Sequence, residues 1–123
     1  MAKKILVVED EIKLREIYHE TLTEEGYEVL MVDNGRKALT VVRGSPVDLI
    51  ITDIKMPEMH GVEFVAALRD AGYTTPVIMC SAYEQMKNDF GVVSAGIADF
   101  LTKPVDLDEL VTKVNGILGS PAA

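Results

Sequence analysis

Five positions in this chain carry groups that could do chemistry together: Glu9, Asp10, Asp53, Ser81 and Lys103. Each lies at or just after the end of a short apolar run. Glu9 and Asp10 follow Ile5-Leu6-Val7-Val8, Asp53 ends Leu49-Ile50-Ile51-Thr52, Ser81 follows Pro76-Val77-Ile78-Met79-Cys80, and Lys103 follows the stretch from Ala98. Such runs read as strands buried on both faces of a parallel sheet. In open α/β sheets ligands bind beyond the carboxyl ends of the strands. Taken singly, Asp and Ser there are turn formers and a lysine snorkels to solvent. Together they put three carboxylates, a hydroxyl and an ammonium along one rim. Two carboxylates about 5 Å apart at an effective dielectric near 20 repel by roughly 3 kcal/mol. Either their pKa values rise or a cation sits among them. An all-oxygen anionic site suits a hard divalent ion, Mg²⁺ in particular. With one cysteine and two histidines the chain offers no zinc cluster.

The elements that must position these groups follow from spacing. Leu14, Ile17, Tyr18 and Leu22 share one helical face after the first strand, and Gly26 is placed to end that helix. Glu28-Val29-Leu30-Met31-Val32 reads as a strand. Asp33-Asn34-Gly35 then turns into a short helix carrying Ala38, Leu39 and Val42, which Gly44-Ser45-Pro46 breaks. Beyond Pro57 and a loop to Gly61, a helix turns Phe64, Val65 and Leu68 inward, with Gly72 past its end. A helix over residues 84–95 carries Met86, Phe90 and Val93. Its internal Gly91 costs about 1 kcal/mol relative to Ala, making it the weakest of the set. The last helix has the clearest stripe, Leu107, Leu110, Val111, Val114, Ile117 and Leu118, and Asp106 with Glu109 approximates a capping box. Five strands alternating with five helices predict an α/β fold, a doubly wound parallel sheet covered on both faces with right-handed crossovers.

Composition narrows the function. A chain of 123 residues makes one domain, and a net charge of −8 disfavours nucleic-acid binding, which needs cations to replace counterions. The apolar run after Met1-Ala2-Lys3-Lys4 is too short for a signal peptide or a membrane span. With the lone Cys80 this predicts a reducing, cytoplasmic setting. The domain is expected over 1–119, with 120–123 a flexible tail or the start of a linker.

The ordered set of Glu9-Asp10, Asp53-Ile54-Lys55-Met56-Pro57 with Gly61, Ser81-Ala82 and Lys103-Pro104 resembles the receiver domains of two-component response regulators, over essentially the whole chain. The resemblance implies a flavodoxin-like, chemotaxis-regulator-like sheet of order 2-1-3-4-5. It makes Asp53 the acceptor of a phosphoryl group from a sensor histidine kinase or histidine phosphotransfer protein. Mg²⁺ would be held by Asp10, Asp53 and the backbone carbonyl of Lys55, with Glu9 acting through water. Lys103 and Ser81 would contact the phosphoryl oxygens, the Lys103-Pro104 bond would be cis, and Phe100 would be the switch aromatic. Phosphorylation would then alter the surface formed by the 84–95 helix, the strand at Phe100 and the last helix, for an unknown downstream protein. Lys55 and Tyr83 resemble the single-domain sporulation-phosphorelay type. They would shield the acyl phosphate from water, giving slow self-dephosphorylation. The domain is thus expected to act as a signalling protein, either alone or as part of a longer chain.

Three rival readings remain at this point. A flavodoxin-type cofactor protein would need a hydroxyl-rich phosphate loop where Glu9-Asp10-Glu11 stands. A phosphohydrolase of the haloacid dehalogenase type carries a second acid two residues after its nucleophile, a position occupied here by Lys55. A binding module with a dead site would lack reactive groups that are all present.

Overall fold

Runs of four or five apolar residues are too short to make buried helices, and pairing side by side satisfies their backbone groups. The computed structural model describes residues 2–54, 59, 61–81 and 97–119. In chain order the elements are β1 (Lys4–Val8), α1 (Ile12–Glu24), β2 (Glu28–Val32), α2 (Gly35–Gly44), β3 (Leu49–Asp53), α3 (Gly61–Asp70), β4 (Val77–Ser81), β5 (Asp99–Thr102) and α4 (Leu107–Leu118). All strand pairs are parallel and the order is β2-β1-β3-β4-β5, as the resemblance implied. Four helices stand among the described residues. The expected helix over 84–95, Lys55, Tyr83 and the 120–123 tail lie outside them.

Alternation along the strands divides the core in two. Leu6, Val8, Ile50, Val77, Met79 and Phe100 face α2 and α3, where Ala38, Val42, Phe64, Val65 and Leu68 meet them. Ile5, Val7, Leu49, Ile51, Ile78, Cys80 and Leu101 face α1 and α4, against Tyr18, Leu22, Leu110 and Val114. Every residue of β3 and β4 is buried, whereas the edge strand β2 leaves Met31 41% exposed.

Two expected helix faces are narrower than the spacing suggested. Ile17 is 41% exposed, because Tyr18 and Leu22 supply the buried line of α1, with Leu14 partly buried against it, and leave Ile17 at its edge. Leu107 is likewise 37% exposed at the start of α4, where only Leu110 and Val114 are fully enclosed. The cap expected at Asp106 forms, and Asn34 adds a second. The Asn34 side chain accepts from Lys37 N at 2.9 Å, and Asp106 accepts from Asp108 N at 2.9 Å and Glu109 N at 3.1 Å. Gly26 ends α1 with φ +99°, the left-handed region that glycine adopts without strain.

Gly61 is the glycine on which the site depends. Its N–H donates to Ile54 O at 2.8 Å, and a Cβ there would run into the backbone carbonyl of Asp53. The start of α3 can therefore press against the end of β3 only with no side chain in between. Gly116, exposed within α4, has open space at the same test. Gly61→Ala should destabilise the fold by about 2 kcal/mol or more, through overpacking against backbone. Gly116→Ala should stabilise it by roughly 0.5–1 kcal/mol. Urea unfolding of the two variants tests both signs, and a neutral Gly61→Ala would mean that the close approach is not a constraint.

Candidate functional site

The register of the sheet assembles the site before any side chain is considered. Val8 pairs with Thr52, so Glu9 follows on beside Asp53; Asp53 pairs with Cys80, and Ser81 pairs with Thr102. Lys103 is the next residue, and its N–H donates to Ser81 O at 2.7 Å. Because all the strands run one way, these ends share a single rim.

There Lys103 Nζ lies 2.8 Å from Asp53 Oδ1 and 3.2 Å from Glu9 Oε1. One carboxylate oxygen each from Glu9, Asp10 and Asp53 lie within 4.8 Å of one another. Glu9 is 1% exposed and Asp53 4% exposed, while Asp10 opens to solvent. The second oxygen of Glu9 accepts from Glu11 N at 3.1 Å, which supplies the partner that no side-chain cap provides at the start of α1. The Thr52 hydroxyl bonds to Asp53 O at 3.1 Å, and Ile54 N to Cys80 O at 3.1 Å, fixing the backbone around Asp53.

The charges respond to this crowding. Burial pushes the Asp53 carboxyl up to about 8, the neighbouring Glu9 pushes it the same way, and Lys103 only partly offsets them. Burial also acts to raise Glu9. The hydrogen bond with Asp53, the Glu11 N–H and the Lys103 ammonium outweigh it and hold Glu9 below the usual range. Of the two neighbours, Asp53 is thus the one more readily protonated. Asp10 is raised by burial and by Glu9. Lys103 is raised because Asp53 and Glu9 outweigh the opposing effect of burial. Three hard oxygen donors with an uncompensated charge fit Mg²⁺, and the donor set contains nothing soft that would favour another metal.

Of the residues singled out from the sequence, the structure brings together Glu9, Asp10, Asp53 and Lys103. It sets Ser81, buried at 6% exposure, at the adjacent strand end. Lys55 lies outside the described residues. The Lys103-Pro104 bond is cis, as the resemblance implied. Phe100 is buried in the α2–α3 half of the core. Three features had gone unremarked. Arg15 Nη1 donates to Glu9 O at 3.1 Å. The Tyr18 hydroxyl is buried without a hydrogen-bond partner. Beside Lys103 an apolar cavity of about 490 Å³ opens between Leu14, Ile17 and Tyr18 of α1 and the segment through Pro104, Val105 and Leu107. A tyrosine among aliphatic positions and an isoleucine at the edge of the stripe were the only sequence signals for the last two.

Comparison with known proteins agrees with this geometry. Residues 5–115 match the family model of the response regulator receiver domain. The transcriptional regulatory protein PcoR of Escherichia coli is 35% identical over 94% of this chain and 51% of its own length. TcrA of Mycobacterium tuberculosis is 38% identical over 93% of this chain and 45% of its own. The chain thus spans about half the length of these curated relatives. Among solved structures, the chemotaxis response regulator CheY4 of Vibrio cholerae superposes with a TM-score of 0.88 at 31% identity, covering 95% of this chain and 99% of that one. The response regulator TrrA of Thermotoga maritima, solved in complex with Mg²⁺ and BeF, gives 0.85 at 36% identity over 94% and 98%. The five-stranded order, the acid cluster facing Lys103 and the match over residues 5–115 lead to one conclusion: the chain belongs to the receiver domain family of two-component response regulators.

Proposed function

We propose that Asp53 is the phosphoacceptor of this domain, taking its phosphoryl group from a sensor histidine kinase or a histidine phosphotransfer protein. One observation carries the reading: a nine-tenths-buried carboxylate, the only acid in β3, touches a lysine ammonium at 2.8 Å within a cluster of two further acids. Asp53 attacks phosphorus as a carboxylate nucleophile. The bond from phosphorus to the donor nitrogen breaks, its electrons leave with the imidazole, and an acyl phosphate forms. Lys103 neutralises charge on the transferred oxygens, and the Ser81 hydroxyl is placed at the neighbouring strand end to donate to one of them. Glu9, Asp10, Asp53 and the Lys55 carbonyl would hold Mg²⁺, which when bound supplies further positive charge to the same oxygens. On this reading the domain, spanning residues 1–119 with 120–123 beyond it, catalyses its own phosphorylation from the donor and its own slow dephosphorylation. It works in the cytoplasm, without itself contacting nucleic acid or membrane. Among the described residues no helix is long and apolar enough to cross a membrane.

The receiving surface for the donor is supported by the apolar cavity beside Lys103, which adjoins exposed Ile17 and Leu107. Signal output is supported by the position of Phe100. Its strand is tied to α4 by Lys113 Nζ, which reaches Asp99 Oδ1 at 3.0 Å and Phe100 O at 2.8 Å. The downstream partner is a protein whose chemistry these residues do not specify.

Asp53→Asn should abolish ³²P labelling by acetyl phosphate or phosphoramidate with Mg²⁺ present, while the fold is retained. Labelling of the variant at the wild-type level would move the acceptor elsewhere.

The raised Asp53 gives a second test. A folded-state pKa near 8 against an unfolded value near 3.9 means that the folded protein binds the extra proton between those limits. The stability this group contributes is therefore present below about pH 4 and is lost as pH rises through about 8. In metal-free buffer the melting temperature of Asp53→Asn should exceed that of the wild type by a margin that grows between pH 5.5 and 8.5, reaching roughly 5 °C. Millimolar Mg²⁺ should narrow the margin by binding the wild type. A margin independent of pH would show that Asp53 titrates normally.

A further inference from the structure

Every polar group of Glu9 is committed. Its N–H donates to Val32 O at 3.1 Å, its two carboxylate oxygens accept from Lys103 and from Glu11 N, and its carbonyl accepts from Arg15 Nη1 at 3.1 Å. The last of these bonds answers a specific problem. In a parallel strand the N–H and C=O of one residue point to the same side. The Glu9 carbonyl therefore points toward β2 just where that strand stops at Val32. Left alone, a carbonyl beside such a buried residue would lack its partner. Arg15 supplies one from the first turns of α1, and its own N–H is held by Glu11 O at 3.0 Å. The turn of Glu9, Asp10 and Glu11 is thus clamped at both ends by α1.

This turn carries two of the three clustered carboxylates. The peptide that Arg15 holds joins Glu9 to Asp10, so its orientation sets the direction in which the Asp10 side chain leaves the backbone. We propose that Arg15 is a positioning residue for the cation site: through the Glu9 carbonyl it fixes the Glu9–Asp10 peptide, and so the spacing of Asp10 to Asp53. The assignment rests on the reading of the acid cluster as a Mg²⁺ site. Charge alone predicts the opposite effect. A guanidinium close to a cation site repels the incoming ion, so its removal would tighten binding if Arg15 acted only through its field. A clamp predicts loss, because outer partners that orient metal ligands typically contribute tenfold or more to affinity.

The test is calorimetric titration with Mg²⁺ alone on the wild type, Arg15→Met, Arg15→Lys and Lys37→Met. Methionine keeps an apolar stem of similar length but removes charge and donors. Lys37, 3.0 Å from Asp33 on the same rim, offers a charge deletion with no bond to the Glu9 turn among the described residues. Arg15→Met should weaken Mg²⁺ binding by roughly tenfold. Arg15→Lys, which retains one donor, should recover at least half of that loss on a logarithmic scale, and Lys37→Met should stay within twofold of wild type or bind more tightly. Arg15→Met binding within twofold of wild type, or more tightly, overturns the proposal, as does a lysine variant no better than the methionine one. If Arg15→Met fails to fold by circular dichroism, Arg15→Lys decides alone: binding weakened two- to threefold supports the clamp, and binding within twofold of wild type or a larger loss overturns it. A wild type that binds no Mg²⁺ at millimolar concentration overturns the cation site itself, and the role of Arg15 with it.

Discussion

Among the described residues, three carboxylates within 4.8 Å of one another face a single lysine, a charge arrangement that does not balance by itself. Lys103 reaches two of them and compensates one charge; burial and the charge left over raise the Asp53 carboxyl. The remainder is a standing repulsion, which the folded protein tolerates because the strands on which it is mounted are largely buried. β3 and β4 contribute no exposed residue, and the core on each face of the sheet is continuous from one flanking helix to the next. The surplus negative charge makes the site receptive to a divalent cation.

Parallel strands are what make the convergence possible. Each βα unit returns the chain to the same end of the sheet, so every carboxyl-terminal strand end arrives at one rim. Distance along the sequence then ceases to matter: Glu9 and Lys103 are separated by 94 positions and meet at 3.2 Å. The same geometry brings the start of α1 to the acids. Its first N–H groups carry positive partial charge, and Glu11 N is satisfied by the Glu9 carboxylate rather than by a conventional cap. Gly61 lets α3 begin directly against the end of β3. The site is thus held by helix starts and strand ends, with little left to side-chain chance.

Linkage from this rim to the rest of the surface is short. Lys103 sits one residue past β5, the strand whose Phe100 lies in the core and whose carbonyl is bound by Lys113 of α4. At the far end of α4 the Tyr27 hydroxyl bonds to Asn115 and to Gly119 O, tying the end of the helix to the entrance of β2. α4 is thus attached to β5 at its middle and, through Tyr27, to the chain entering β2 at its end. Relatives about twice the length of this chain place such a domain within longer regulatory proteins.

The sequence by itself determined the strands and their boundaries to within a residue or so, and with them the four strand ends at which acids, a hydroxyl and an ammonium stand. Continuous aliphatic runs broken by acids, glycine and proline have few other solutions. It also determined the cap at Asp106, because capping is local. Strand order came with the family resemblance, since apolar runs of equal length carry no record of their neighbours. Only the tertiary structure decided that Ile17 and Leu107 would stay largely outside the core: a stripe on a helix says which residues can be buried, and the contact area of the sheet decides how many are. Only it decided that the Asp53 carboxyl would be raised well above its usual range, since the shift comes from burial and from Glu9, brought alongside by register. Arg15 was invisible for the same reason. Its partner is a backbone carbonyl that lacks a strand neighbour only because β2 ends one residue too soon, a fact of pairing that no spacing of side chains records.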